Sequence, residues 1–173
     1  MDAAVRVIAR EGSHGLSFAK VVEEGGLSST RLISYHFGSR EILLEETLAH
    51  VVARAAEFMG PRIAAETSVR GKVRAYITSN FEFLAQNLDV AGAAVDLAAS
   101  VGGSASAAAI SLLEEVFRAG QDAGELRAFD VHVMAIALRG AIDANVLDLH
   151  SGNAGAARTA AELSAAFDRA IRV

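Results

Sequence analysis

Cysteine and tryptophan are absent from this 173-residue chain, and proline occurs once. Without a thiol there is no disulfide, no thiolate zinc or iron–sulfur site and no cysteine nucleophile, and the composition suits a reducing compartment. Long apolar runs are missing as well. The longest uncharged stretch, Leu97 to Leu113, is interrupted by Ser100, Gly102, Gly103, Ser104 and Ser106, too short and too polar to span a bilayer. The opening Met1-Asp2-Ala3-Ala4-Val5-Arg6 lacks a basic segment followed by an apolar one, so we expect no secretory signal, a cytoplasmic protein and no membrane partner.

Positive charge is also scarce. The formal net charge is −5, which argues against a broad cationic surface for nucleic acid. Its distribution is uneven: residues 1–40 carry five Lys/Arg against four Asp/Glu, and the remainder carries eleven against seventeen. Any contact with a polyanion therefore belongs near the N-terminus. What the chain does have is hydrophobic content, 52% of residues, enough for a core in one compact unit or in a small head joined to a larger body.

Helical spacing outcompetes strand alternation throughout, so the expected fold is all-α with about nine helices. Three short ones fill the start: Asp2–Arg10 with Ala4, Val7 and Ile8 on one face, Phe18–Glu24 with Phe18, Val21 and Val22, and Ser29–His36 with Ile33 and Phe37. Ser39 then caps a long helix with the apolar series Leu44, Leu48, Val51, Ala55 and Phe58, which we expect to stop at Gly60-Pro61 because proline cannot continue it. Five more helices are expected near 69–86, 88–100, 105–121, 130–149 and 156–172. The natural division is a head, 1–47, and a helical body, 48–173.

A helix, a glycine-containing turn and a second short helix make a helix-turn-helix, whose second helix lies in the major groove of DNA. Val21, Val22, Leu27 and either Ile33 or Leu32 are expected to bury against the first helix. That leaves Ser29, Thr30, Arg31, Ser34, Tyr35 and His36 for the groove or the phosphates. Arg31 has the fork geometry to pair guanine O6 and N7; a phosphate contact or a solvated charge is the alternative.

At these residues a family resemblance appears. Ala3 to Gly12, then Leu16-Ser17-Phe18-Ala19-Lys20-Val21-Val22-Glu23-Glu24-Gly25-Gly26-Leu27-Ser28, then Ser34-Tyr35-His36-Phe37-Gly38-Ser39-Arg40-Glu41-Ile42-Leu43 resemble the N-terminal domain of TetR-type transcriptional regulators. The resemblance implies a homodimer that binds palindromic operator DNA, an all-helical C-terminal domain that takes a small effector, and release of DNA on effector binding. By position, Ser17 resembles the hydroxyl residue capping the second helix near a phosphate, and Tyr35 and His36 resemble the aromatic pair ending the recognition helix. Arg40 stands where the family usually has Lys, at a helix N-terminus suited to phosphate. Leu27 to Phe37 spans eleven residues against the ten common in the family, so the recognition-helix cap falls on Ser28 or, with one more turn residue, on Ser29. The family's basic arm ahead of the first helix has no counterpart in this sequence.

In the body, Tyr76, Asn80, Phe81, Leu84 and Asn145 combine apolar wall with polar handles and are the candidates for an effector pocket. The last two helices could supply half of an intermolecular four-helix bundle, with Leu138, Ile142, Leu149, Leu163 and Phe167 as the candidate dimer interface. No catalytic constellation, cofactor fingerprint or metal-ligand spacing is present: His132 and His150 share a helical stripe but lie eighteen residues, about 27 Å, apart. The expected function is a dimeric, effector-responsive DNA-binding repressor, not an enzyme, with DNA, a second copy and a small molecule as partners and no cofactor. The alternative is a ligand-sensing or protein-binding helical dimer with impaired DNA binding.

Overall fold

A computed structural model describes residues 1–101, 104–150 and 155–173. The described residues form nine α-helices: α1 (Asp2–Glu11), α2 (Phe18–Gly25), α3 (Thr30–Phe37), α4 (Arg40–Ala64), α5 (Val69–Gln86), α6 (Leu88–Val101), α7 (Ser104–Asp122), α8 (Val131–His150) and α9 (Ala156–Ile171). A 3₁₀ turn, Ser13–Gly15, links α1 to α2, and the one strand-like feature among the described residues is an isolated antiparallel bridge between Leu126 and Arg172. The chain is all-α, as its periodicity predicts.

Serine starts most of the capped helices. Ser17, Ser29, Ser39 and Ser68 are extended at the N-cap, and their hydroxyls accept from the backbone N–H of Lys20, Arg31, Ile42 and Gly71, groups that the helix itself cannot satisfy. Helix α5 is the axis of the body. It packs along α4 and α9 and also meets α6, α7 and α8. Phe81 and Ile77 on α5, Phe117 on α7 and Leu138 and Ile142 on α8 are completely or almost completely buried. Of its buried polar residues, Ser79 is satisfied locally, donating back to the Ala75 carbonyl.

One expected boundary is wrong. Helix α4 does not stop at Gly60-Pro61 but runs through Pro61 to Ala64. Glu57, Gly60 and Pro61 all face solvent, so the carbonyl that loses its N–H partner can be hydrated rather than buried, and the stop weakens to an interruption. The sequence 120–127 acts as a corner brace. Glu125 accepts from the Val69 N–H at 2.7 Å, so it caps α5 from outside; Gln121 donates to the Arg127 and Phe129 carbonyls at 3.1 and 3.0 Å; and Arg127 Nε donates to the Ala170 carbonyl at 2.6 Å, tying down α9.

The candidate dimer residues face inward. Leu138 and Ile142 are fully buried, Leu149 is buried, and Leu163 and Phe167 pack half-buried against the same core. The inner stripe of α8 was read as its outer one because apolar residues occupy both. The open side of α8 carries Val133, Ile136, Ala137, Gly140 and Ala144.

Gly120 sits where this brace meets α5, and a Cβ there would lie 2.6 Å from Leu126 Cδ1 and 2.8 Å from Val69 Cγ1. Glycine-to-alanine in an open helix stabilises by up to about 1 kcal/mol. Here the sign reverses. Gly120→Ala is expected to destabilise by about 1–3 kcal/mol, a drop of about 2–4 °C in Tm per kcal/mol, measured by thermal denaturation followed by circular dichroism.

Candidate nucleic-acid interface

The head is built by two short helices crossing on a third. Val21 of α2 packs toward α1, and Ile33 of α3 enters the same core as Ala4, Val5, Val7 and Ile8 of α1, so that inward face fixes which side of α3 is left outside. Between α2 and α3 the chain reverses at Gly26, whose φ of 61° is left-handed and whose N–H closes on the Glu23 and Val22 carbonyls. Leu27, expected in the core, is 45% exposed, because the turn carries it past the head's apolar face. The side chain of Leu32 lies outside the described residues.

The cap of α3 is Ser29: its hydroxyl accepts from the Arg31 N–H at 3.1 Å, whereas Ser28 is an exposed turn residue. The longer turn therefore sets the register. Thr30, Arg31, Tyr35 and His36 face solvent, and Ser34 is half-buried with its hydroxyl on the Arg31 carbonyl at 3.2 Å. Tyr35 is 89% exposed, an aromatic side chain with nothing in the subunit to cover it. Ser29, Arg31, Ser34 and Tyr35 line one shallow open depression. Ser17 caps α2 beside this surface.

Electrostatics single out one cation. Arg6 and Arg10 both reach Glu24, at 2.7 and 2.8 Å, and Lys20 pairs with Glu11. Hydrogen bonds from Arg10 and then Arg6 hold the Glu24 carboxyl below its ordinary value, and Lys20 and then Arg10 do the same for Glu11. Arg40 does not stand free at the α4 N-terminus either. Its guanidinium donates to the Leu16 carbonyl at 3.0 Å and to the Ser13 carbonyl, so it bolts the α1–α2 corner instead of extending. Among the described head residues, Arg31 is the cation whose side chain has neither a carboxylate nor a carbonyl partner.

The same corner is gripped from the body. The Ser13 N–H donates to Asp96 of α6, and the Ser13 and Ser100 hydroxyls meet at 2.6 Å, with Ser100 in turn donating to the Asp96 carbonyl at 2.8 Å. Nothing local in the sequence marks Asp96 or Ser100, since their partner is more than eighty residues away. The α1 N-terminus is fastened separately: Asp2 meets His50 at 2.8 Å, and Arg54 extends from Asp2 to Asn87, where it donates at 2.8 Å.

The other candidate residues scatter. Phe81 is sealed in the core and Leu84 nearly so, and Asn145 donates to its own helix at the Ala141 carbonyl, 2.8 Å. Tyr76 and Asn80 remain together, one turn apart on α5, and Tyr76 Oη accepts from Arg139 of α8 at 3.2 Å. His132 bonds to Glu114 at 2.7 Å, while the His150 side chain lies outside the described residues; no group of metal-ligating side chains was found among those described.

A helix-turn-helix with an open recognition helix, carried on a helical body, is the architecture of a DNA-binding regulator. Residues 1–47 match the family model for bacterial regulatory proteins of the tetR family. The HTH-type transcriptional regulator BetI of Burkholderia ambifaria (strain MC40-6) is 34% identical over 83 residues, 47% of this chain and 42% of BetI, so the match spans less than half the length of that curated relative. FadR from Bacillus halodurans superposes with a TM-score of 0.84 at 19% identity, and FadR from Bacillus subtilis, solved in complex with stearoyl-CoA, with 0.83 at 20%; each alignment covers 95% of this chain and 93% of the other. Those structures share the fold. The likeness to the tetR family of bacterial regulatory proteins is thus carried by the head, residues 1–47.

The ion pairs that silence the head's other cations make it acid-sensitive. Glu11 and Glu24 have folded values below the ordinary 4.5, so their contribution is whole above that value and is lost as pH falls through the folded ones. Below about pH 4, protection factors in amide hydrogen exchange are expected to fall modestly in α2 and at the α1 C-terminus before they do in α5.

Proposed function

We propose that this chain is a homodimeric regulator of transcription, acting as a repressor, that reads palindromic operator DNA with α3 and releases it when a small effector enters the body. Residues 1–47 are the DNA-contacting head and 48–173 the effector and dimerisation body. The observation that carries the reading is the solvent face of α3. A capped helix presenting Thr30, Arg31, Tyr35 and His36 outward, with Arg31 unpaired, has no role inside the subunit and the right chemistry for base edges and phosphates. Arg31 reads a base, guanine by its geometry; Tyr35, Ser17 and the backbone N–H groups at the α3 N-terminus serve the phosphates.

The dimer uses the open side of α8. Val133 and Ile136 are 61% and 46% exposed beside Ala137, Gly140 and Ala144, an apolar strip whose small residues let a second helix approach closely, and Ala157 and Ala161 extend it onto α9. Two heads then sit in consecutive major grooves, about 34 Å apart. The effector acts through α6 and α4, because both hold the corner that orients α2 and α3. A ligand that favours a different α6 position moves Asp96 and Ser100, and the corner follows. A coupling of about 1–3 kcal/mol suffices for a roughly 5–150-fold loss of operator affinity. The ligand-bound FadR structure supports a body of this shape as a small-molecule site.

Fluorescence anisotropy on the palindromic site upstream of the protein's own coding sequence tests the reading. Sequence-specific binding is expected, with a shallow slope of about −2 to −4 in log K against log salt, since few cations per head are free. Arg31→Ala should relax preference at one position per half-site at a cost of about 1–3 kcal/mol, and Glu24→Gln, by releasing Arg6 while Arg10 stays on Glu11, should steepen the slope. Equal affinity for operator and random DNA at every salt concentration overturns the proposal.

The coupling makes its own prediction. Asp96→Ala removes one charge-assisted grip while leaving α3 untouched, so operator affinity is expected to fall about ten-fold or more, with the binding-site sequence preference unchanged in the same assay.

A further inference from the structure

The body contains an inward-facing group of hydrogen-bond donors larger than its acceptors can use. Arg139, on α8, is only one-fifth exposed. It gives Nε to Asp143 at 3.0 Å and one Nη2 hydrogen to the same carboxylate, and one Nη1 hydrogen to Tyr76 Oη at 3.2 Å. A guanidinium has five N–H donors, so two stay unclaimed, one on each terminal nitrogen. Tyr76, 7% exposed, accepts from Arg139, and its own O–H finds no acceptor among the described residues. Asn80, one turn further along α5 and 8% exposed, makes no side-chain hydrogen bond to any described residue.

Groups in so apolar a setting usually have protein partners, and these keep donor capacity that no described residue takes up. The unclaimed groups of Arg139 and Tyr76 are donors, and Asn80 adds an amide whose NH2 end is a further donor and whose oxygen is an acceptor. Asp143 takes one edge of the guanidinium from the solvent side, where it is itself half-exposed, which leaves the remaining donors of Arg139, Tyr76 and Asn80 to an acceptor that the described residues do not supply. Burial works against the charge on Arg139, but the hydrogen bond to Asp143 and the field of Tyr76 more than offset it, so the guanidinium stays charged. On the same two helices, Phe83 of α5 and Leu138 and Ile142 of α8 are apolar and buried.

We propose that Tyr76, Asn80 and Arg139 form the polar end of the effector site, and that its ligand is an apolar molecule ending in a carboxylate. This rests on the reading of the body as an effector domain. The carboxylate oxygens accept from the free Arg139 N–H groups, the Tyr76 hydroxyl and the Asn80 amide. Tyr76 is a good donor in this position because Arg139 polarises its oxygen. The body's two central helices are thereby joined through the ligand, since Tyr76 and Asn80 belong to α5 and Arg139 to α8.

Isothermal titration of the intact protein with octanoate and dodecanoate, each beside its methyl ester, tests the assignment. The carboxylates should bind about ten-fold or more tightly than the esters, the worth of a charge-assisted bond. Tyr76→Phe and Asn80→Leu should each cost the carboxylates a similar factor and leave the esters unchanged, and Arg139→Lys should restore part of what Arg139→Met loses. Asn80→Leu carries a second readout: by removing an unpaired buried amide it should hold or raise the melting temperature while it weakens binding, which a packing role would not produce. Equal affinities for acid and ester, no binding of either, or normal acid binding by variants that melt normally overturns the proposal. Operator binding measured on the same samples separates the two readings. Specific DNA binding without carboxylate binding removes this subsite alone, and carboxylate binding without DNA binding removes the regulator and leaves the subsite standing.

Discussion

The orientation of the recognition helix depends on one small corner of backbone. Residues 13–16 turn the chain from α1 into α2, and the Ser13 and Leu16 carbonyls are held by Arg40 of α4, while the Ser13 N–H and hydroxyl are held by Asp96 and Ser100 of α6. Within the turn the Ser13 carbonyl accepts only from the Leu16 N–H, and the Ser13 N–H and the Leu16 carbonyl depend on partners from outside it. Here the partners come from the two body helices nearest the head. The result is that the angle of α2, and through Val21 and Ile33 that of α3, is a property of how α4 and α6 sit against each other. Burial of α1 against α6 makes the joint stiff, because Ala4, Val5, Val7 and Ile8 are essentially excluded from water.

Charge in the head follows an analogous economy. An acidic chain that is to meet DNA cannot rely on a field, and this one pairs Arg6, Arg10 and Lys20 with Glu24 and Glu11 inside the head. Those pairs are partly exposed and contribute little to stability individually. Their larger effect is to neutralise those cations, which leaves Arg31 on the outer face of α3 as the one described head cation without a carboxylate or carbonyl partner. On the proposed reading, weak non-specific attraction makes discrimination rest on base contacts, of which Arg31 supplies the strongest available to this sequence.

Much of the architecture is legible in the sequence, for identifiable reasons. Helix positions follow from apolar spacing and from serines that stand just ahead of apolar runs, and the eleven-residue interval from Leu27 to Phe37 already points to Ser29 as a possible cap. The failures are equally physical. Pro61 was expected to end α4, but a proline whose orphaned carbonyl faces water interrupts a helix without stopping it. Leu27 was placed in the core by its hydrophobicity, and the turn at Gly26 turns it outward. Leu138 and Ile142 were placed at a dimer interface because α8 is apolar nearly all round, and periodicity gives the faces of a helix without saying which one meets the subunit's own core. Asp96 and Ser100 lie beyond any local reading, since their meaning depends on a partner that only the tertiary fold brings near.

On the proposed reading, helix α8 is where a chain this short joins sensing to assembly. Its three faces have separate occupations: Leu138, Ile142 and Val146 enter the core, Arg139 and Asp143 form a polar flank that reaches Tyr76 on α5, and Val133, Ile136, Gly140 and Ala144 are open. A rigid helix cannot rotate one face without the others, because neighbouring residues share a backbone held by its own hydrogen bonds. If an acidic ligand draws the Arg139 flank toward α5, the open face must turn with it, and α6, which packs against α8, must accommodate the turn. The head corner hangs on α6. On the proposed reading, then, the ligand site, the dimer face and the DNA-reading helix are three consequences of where a single helix sits, and coupling between them needs no element beyond α8 and the one it touches.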